Sequence, residues 1–269
     1  MKRLRVLMTQ QEIVPERLAD TVAVVIDVFL ATTTLLSILE NGARQVFPVA
    51  SVEEAEALGA SLEVSLLLRG GEQDAEKIAG YELGPFPEEY PPEVVAGKDV
   101  IFVTTNGTKA IGAAAGASQL LVSCLRNAPA TAGYLKEAAP ESLYIVCAGS
   151  MGRFTLEDFL GASLILSFLE EAGALEGYRL NDGAWLALDF AKRYRGRTEE
   201  VLGQSRLGRW FFANDRMGTL RFVGEVGASD LVAEVGDGRL REVNGPRMEA
   251  CKIAENGLTL DGEAAREEA

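Results

Sequence analysis

The chain has 269 residues, with 26 Lys and Arg against 40 Asp and Glu, a formal net charge of −14 and no histidine. That length holds one large α/β domain or two unequal ones, and 48% hydrophobic with 25% charged residues excludes a mainly disordered chain. The missing histidine excludes Ser-His-Asp and papain-like Cys-His enzymes, His-ligated zinc and phosphohistidine chemistry, while the charge repels nucleic acid and anionic membrane.

The basic start, Met1-Lys-Arg-Leu-Arg-Val6, leads straight to polar Thr9-Gln10-Gln11-Glu12, which does not read as a signal peptide. Val22–Asp27 reads as a buried strand, and Asp27 keeps the run Val22 to Leu30 from approaching the ~18 apolar residues of a membrane span. The expected address is therefore the cytoplasm. A helix over Thr33–Asn41 closes at Gly42, a strand follows at Gln45–Val49, and Ser51-Val-Glu-Glu54 forms a capping box that opens the next helix. Strands are expected at Val64–Leu68 and Asp99–Thr104. Between them residues 69–98, rich in Gly, Pro and Glu, form a long loop of the functional or subdomain kind.

A helix after Asn106-Gly107, a strand at Leu120–Ser123, a helix over Ala130–Ala139 capped at Asn127 and a strand at Leu143–Cys147 continue the alternation. Thr155-Leu-Glu-Asp158 is a second capping-box pattern, opening an amphipathic helix to about Glu171. This rhythm calls for a three-layer α/β/α fold with a largely parallel or mixed sheet, in a core spanning residues 1–172. A smaller α+β portion, 173–260, then carries helices at Asn181–Tyr194 and Thr198–Ala213 and a hairpin from Leu231 to Val243. Residues 261–269 read as a frayed, charged tail.

In such folds ligands bind beyond the carboxyl ends of strands, where helix N-termini present free N–H groups. Four segments answer to that position. Asp27 precedes Ala31-Thr-Thr-Thr34, so Thr33 and Thr34 offer hydroxyls to a cation-bridged phosphate, or else Asp27 and Thr32 merely cap a helix. Thr104-Thr105-Asn106-Gly107-Thr108-Lys109 repeats the design and adds a cation. Cys147 to Arg153 spells C-x₅-R between strand and helix, the spacing of cysteine-dependent phosphatases, although Cys147 reads equally as a small buried hydrophobe. Glu72 and Glu82, among glycines in the long loop, are metal ligands or solvated turns. Cys124, Cys147 and Cys251 are odd in number and form no C-x-x-C pair, which disfavours zinc and a disulfide framework and leaves hard cations such as Mg²⁺.

Taken in order, these stretches resemble the 2-phosphosulfolactate phosphatase family. The resemblance is carried by Val25-Ile-Asp-Val-Phe-Leu-Ala-Thr-Thr-Thr34, Gly71-Glu72, Leu83-Gly84, Thr104-Thr-Asn-Gly-Thr108, Asn127-Ala128, Val146-Cys-Ala-Gly149, Gly152-Arg-Phe154 and Leu156-Glu-Asp158. It spans roughly residues 22 to 165 and thins beyond Gly173. The family implies a Mg²⁺-dependent phosphomonoesterase of coenzyme M biosynthesis acting on a small acidic phosphate ester.

On that footing Asp27, Glu72 and Glu82 are the expected Mg²⁺ ligands, with Asp27 also catalytic. Thr33, Thr34, Thr105, Asn106, Lys109 and Arg153 are the expected substrate contacts, and Glu157 or Asp158 the base. Leu30 stands where the family pattern has Arg, and Pro85-Phe86 where it has Asn-Ser, so substrate recognition is expected to differ. Two alternatives are a cysteine-dependent phosphatase using Cys147 and a non-catalytic anion-binding paralogue. A homodimer is the statistical default.

Overall fold

A computed structural model describes residues 1–243, so Cys251 and the tail at 261–269 lie outside the described residues. The chain opens on β1 (Lys2–Leu7), where buried Leu4 and Val6 alternate with more accessible Arg3 and Arg5. β2 (Val22–Ile26) is apolar throughout, as a strand covered on both faces must be. It leads to α1 (Ala31–Glu40), β3 (Gln45–Val49) and α2 (Val52–Gly59), and Ser51 Oγ accepts the Glu54 N–H at 3.2 Å to start α2 as its capping pattern requires.

β4 (Leu67–Gln73) and β5 (Glu76–Lys77) make a hairpin, followed by α3 (Pro92–Val95), β6 (Asp99–Val103) and α4 (Gly107–Ala113). Next come β7 (Gln119–Ser123), α5 (Ala128–Ala138), β8 (Ser142–Cys147) and α6 (Leu156–Glu171). The chain then adds β9 (Tyr178–Leu180), α7 (Asp182–Tyr194), α8 (Thr198–Gln204), α9 (Arg206–Ala213), α10 (Met217–Gly224), β10 (Ala233–Gly236) and β11 (Arg239–Glu242).

Three expectations are corrected. The strand expected at Val64–Leu68 starts three residues later, because parallel pairing sets Leu67–Gly71 alongside Asp99–Val103 and leaves Val64 83% exposed. Residues 69–98 are a hairpin and short helical turns rather than one loop. The helix expected over Thr198–Ala213 breaks at Ser205, which is extended (ψ 160°) and caps α9 by accepting the Gly208 N–H at 2.9 Å. Among the described helices none is long and apolar enough to cross a membrane.

The sheet is mixed, in the order β5-β4-β6-β3-β11-β10-β7-β2-β8-β1-β9. β4, β6 and β3 run parallel to one another, as do β7, β2, β8, β1 and β9. The β10–β11 hairpin is wedged between these halves, antiparallel to β7 and to β3. Strand periodicity assigns the layers. Val24 and Ile26 face a core built with α5, α6 and α7, while Ala23 and Val25 face one built with α1 and α4. α1 and α4 pack against strands of both halves.

Candidate active site

Asp27 sits just past β2, only 7% exposed, and Gly107 at the start of α4 lies hard against it. A Cβ at residue 107 would stand 2.5 Å from Asp27 Oδ2 and 2.3 Å from Ala31 Cβ, so only glycine lets the β2 and β6 ends meet. The Ala31 N–H reaches the Asp27 carboxylate. Burial, then the negative charges of Asp158, Glu157 and Glu72, nonetheless push its pKa well above the ordinary range. No ion pair with Lys or Arg reaches any of these four acids among the described residues.

The neighbours have separable tasks. Asp158 is a buried clamp: its Oδ1 accepts the Val28 N–H (2.9 Å), and its Oδ2 accepts the Gly149 N–H (3.0 Å) and the Thr155 hydroxyl (2.7 Å). The Thr155 side chain caps no backbone N–H of the helix it precedes and binds the Asp158 carboxylate instead, so the second capping-box pattern serves this clamp. Desolvation raises Asp158 to about 6 despite the three donors. Glu157 rises to about 7, through burial and then the Asp158 charge; the Ser205 hydroxyl and the charge of Arg206 pull the other way. Glu72 binds Thr105 twice, accepting its N–H (2.6 Å) and its hydroxyl (2.8 Å), and also accepts the Ala75 N–H (2.8 Å). Asn106 Oδ1 accepts the Met151 N–H at 3.0 Å, joining the loop after β6 to the loop after β8.

The remaining sequence-nominated residues divide. Arg153 and Lys109 are exposed, and neither side chain has a partner among the described residues, so both cations remain available. Thr33 and Thr34 are fully buried, with hydroxyls donated to the Val28 and Pro85 carbonyls; they fasten loops and cannot touch a solvent-borne ligand in this conformation. Glu82 is exposed, accepts the Arg69 N–H (2.9 Å) and is not among the acids acting on Asp27, so the expected trio Asp27, Glu72 and Glu82 is not assembled. Cys147 is the clearest correction. It is fully buried in the core, and desolvation followed by the Asp158, Glu12 and Glu157 charges drives its thiol pKa well upward, the reverse of an activated nucleophile.

The sequence reading missed Ser205 and Arg206. Ser205 is 2% exposed and lends its hydroxyl to Glu157, and Arg206 Nη2 donates to Ser150 Oγ at 2.7 Å. The sequence signal for Ser205 was that, with Gly208, it is among the few points of family resemblance beyond Gly173, without any role given to it. A cavity of about 580 Å³ lies elsewhere, lined by Ser37, Asn41, Glu88, Arg216, Thr219 and Phe222, and includes none of the nominated residues.

No group of three or more Asp, Glu or Cys side chains converges to hold a metal by protein ligands alone among the described residues. Mg²⁺ is commonly held by one or two carboxylates, with water and substrate phosphate completing its shell. Asp158, Glu157 and Glu72 around a desolvated Asp27, none of the four in an ion pair among the described residues, fit that kind of seat.

A family model described as 2-phosphosulpholactate phosphatase matches residues 7–238. A protein of Symbiobacterium thermophilum named "Probable 2-phosphosulfolactate phosphatase" is 36% identical over 225 residues, 84% of this chain and 95% of its own. Proteins of the same name from Carboxydothermus hydrogenoformans and Caldanaerobacter subterraneus are 35% and 39% identical, over 85% and 60% of this chain and 92% and 67% of theirs.

Proposed function

The chain belongs to the 2-phosphosulpholactate phosphatase family, a family of phosphoric monoester hydrolases, and from that premise we propose that it hydrolyses 2-phosphosulfolactate to sulfolactate and phosphate with Mg²⁺. The observation that carries this reading is the acid group around buried Asp27, uncompensated by any ion pair among the described residues, with the unpaired cations Lys109, two residues after Gly107, and Arg153, in the loop tied to Asn106. A phosphate ester bridged to its cation neutralises both sets of charge.

Asp27 would hold Mg²⁺, with Glu72 as its second carboxylate. The ion supplies charge neutralisation at the phosphoryl oxygens and a more acidic bound water. Arg153 and Lys109 bind substrate oxygens, Arg through a planar fork and Lys as a point charge. Glu157, with its proton affinity near neutrality, takes a proton from the attacking water as the new P–O bond forms; a proton then passes to the substrate oxygen as its bond to phosphorus breaks. Asp158 and Asn106 keep the three strand-end loops in register.

Phosphate release from 2-phosphosulfolactate and from p-nitrophenyl phosphate, each with Mg²⁺ and with EDTA, tests the reading. We expect release from the first ester with Mg²⁺ and its loss in EDTA. Undiminished release in EDTA removes the metal, and no release from either ester removes the activity.

A further inference from the structure

We propose that Arg206, together with Arg153, seats an anionic group of the substrate that is not transferred, a sulfonate or carboxylate, and so selects phosphate esters carrying a second acid. This rests on the phosphatase reading above. Arg206 comes from the C-terminal helices, far in sequence from the acids, and the structure fixes it at their edge by two contacts. Ser205 is buried and turns its hydroxyl to Glu157 while capping α9. The next residue, Arg206, donates Nη2 to Ser150 Oγ at 2.7 Å.

Ser150 in turn is tied to Arg153 by two backbone hydrogen bonds, of 2.9 and 3.0 Å. Ser150 thus joins the Arg206 guanidinium to the turn that carries Arg153. A guanidinium has five donors, and the Ser150 contact engages one at Arg206. No carboxylate forms an ion pair with Arg206 or Arg153 among the described residues, in a chain with 40 acidic residues.

The acid group itself cannot accept a second anion. Arg206 and Arg153, carried on segments joined through Ser150, can, and a sulfonate or carboxylate offers the paired oxygens a guanidinium fork matches.

The test compares kcat/KM on 2-phosphosulfolactate with kcat/KM on p-nitrophenyl phosphate, which lacks a second acid, for wild type, Arg206→Ala and Arg206→Lys. A charge-assisted bidentate contact predicts that the ratio falls about tenfold or more in Arg206→Ala, chiefly through KM, with part of the loss recovered in Arg206→Lys. Calorimetric binding of the unreactive product sulfolactate should weaken in parallel. Arg206 is exposed, and matched melting temperatures will show that the variant folds. An unchanged ratio with active enzyme overturns the Arg206 assignment alone. Inactivity of wild type on both esters overturns the phosphatase reading and this assignment with it.

Discussion

Asp27 concentrates the electrostatic conflict of the molecule at one carboxylate, and pH exposes it. Glu157 at about 7 and Asp158 at about 6 lie above the ordinary carboxylate values near 4. The folded chain therefore holds protons that the unfolded chain releases. The stabilisation these acids provide is complete below the unfolded values and is lost as pH rises through about 7. Metal-free protein should melt at a progressively lower temperature from about pH 4 to about pH 7 and level off above that. Asp27→Asn should flatten that slope, leave metal-free stability equal or higher, and abolish the Mg²⁺-dependent rise expected of wild type. A wild-type melting temperature indifferent to Mg²⁺, or an equal rise in the Asn variant, would remove Asp27 as a ligand. Cys147 gives the opposite kind of test. Cys147→Ala should keep phosphatase activity and lose about 1 kcal/mol of stability from a slightly underfilled core. Inactivity in a folded Ala variant would return the thiol to the chemistry.

At the level of elements, α9 matters because it carries Ser205 and Arg206 on an apolar anchor. Phe211 is 2% exposed, stacks on Phe29 at 4.9 Å between ring centroids, and meets Phe86 edge-on at 6.2 Å. Phe29 lies three residues past β2 and two past Asp27, so the C-terminal helices are seated on the strand end that presents Asp27. Pro85-Phe86 and Leu30, departures from the family pattern, belong to the same region: Leu30 and Phe86 pack against the core that includes Phe211. Phe211→Ala should cost about 3–5 kcal/mol and lower activity beyond what the loss of stability explains, because Glu157 would lose its Ser205 partner. A destabilised variant with undiminished kcat well below its melting temperature would separate α9 from catalysis.

For the whole molecule, the decisive device is the hairpin between the two half-sheets. Leu240, 3% exposed, is the residue of β11 that stands opposite Val46 of β3, while Ala233 and Glu234 of β10 pair with β7. Glu72 and Thr105 belong to the β4–β6 half, and Asp27, Glu157 and Asp158 to the β2–β8 half, so the site draws on both sides of this seam. Leu240→Ala should cost about 2–5 kcal/mol. It should lower the unfolding midpoint in denaturant as a single transition, with catalysis and intrinsic fluorescence lost together. Two separated transitions would mean that the halves fold independently of the hairpin.

Much of this arrangement is local and was legible in the chain. β2, β3, β6, β7 and β8 are runs of apolar residues too short for helices, Ser51 caps α2 as its pattern requires, and the Gly-Asp-Gly turn marks the C-terminal hairpin. The strand-end position of Asp27, Thr105, Asn106 and Arg153 followed from the same alternation. What the sequence could not supply was partnership across distance. Nothing near Thr155 or Asp158 says that their side chains bind each other and the Gly149 and Val28 amides rather than close a capping box. β1 was hidden because Lys2, Arg3 and Arg5 mask its buried Leu4 and Val6, and β4 shifted because its partner β6 sets the register. Thr33, Thr34 and Cys147 have the right chemistry for a site but are sealed by packing, while Ser205 and Arg206 enter it from α9. Propensity and period act over a few residues and so fix the elements; burial and charge act through space, and only the folded chain decides which side chains they bring together.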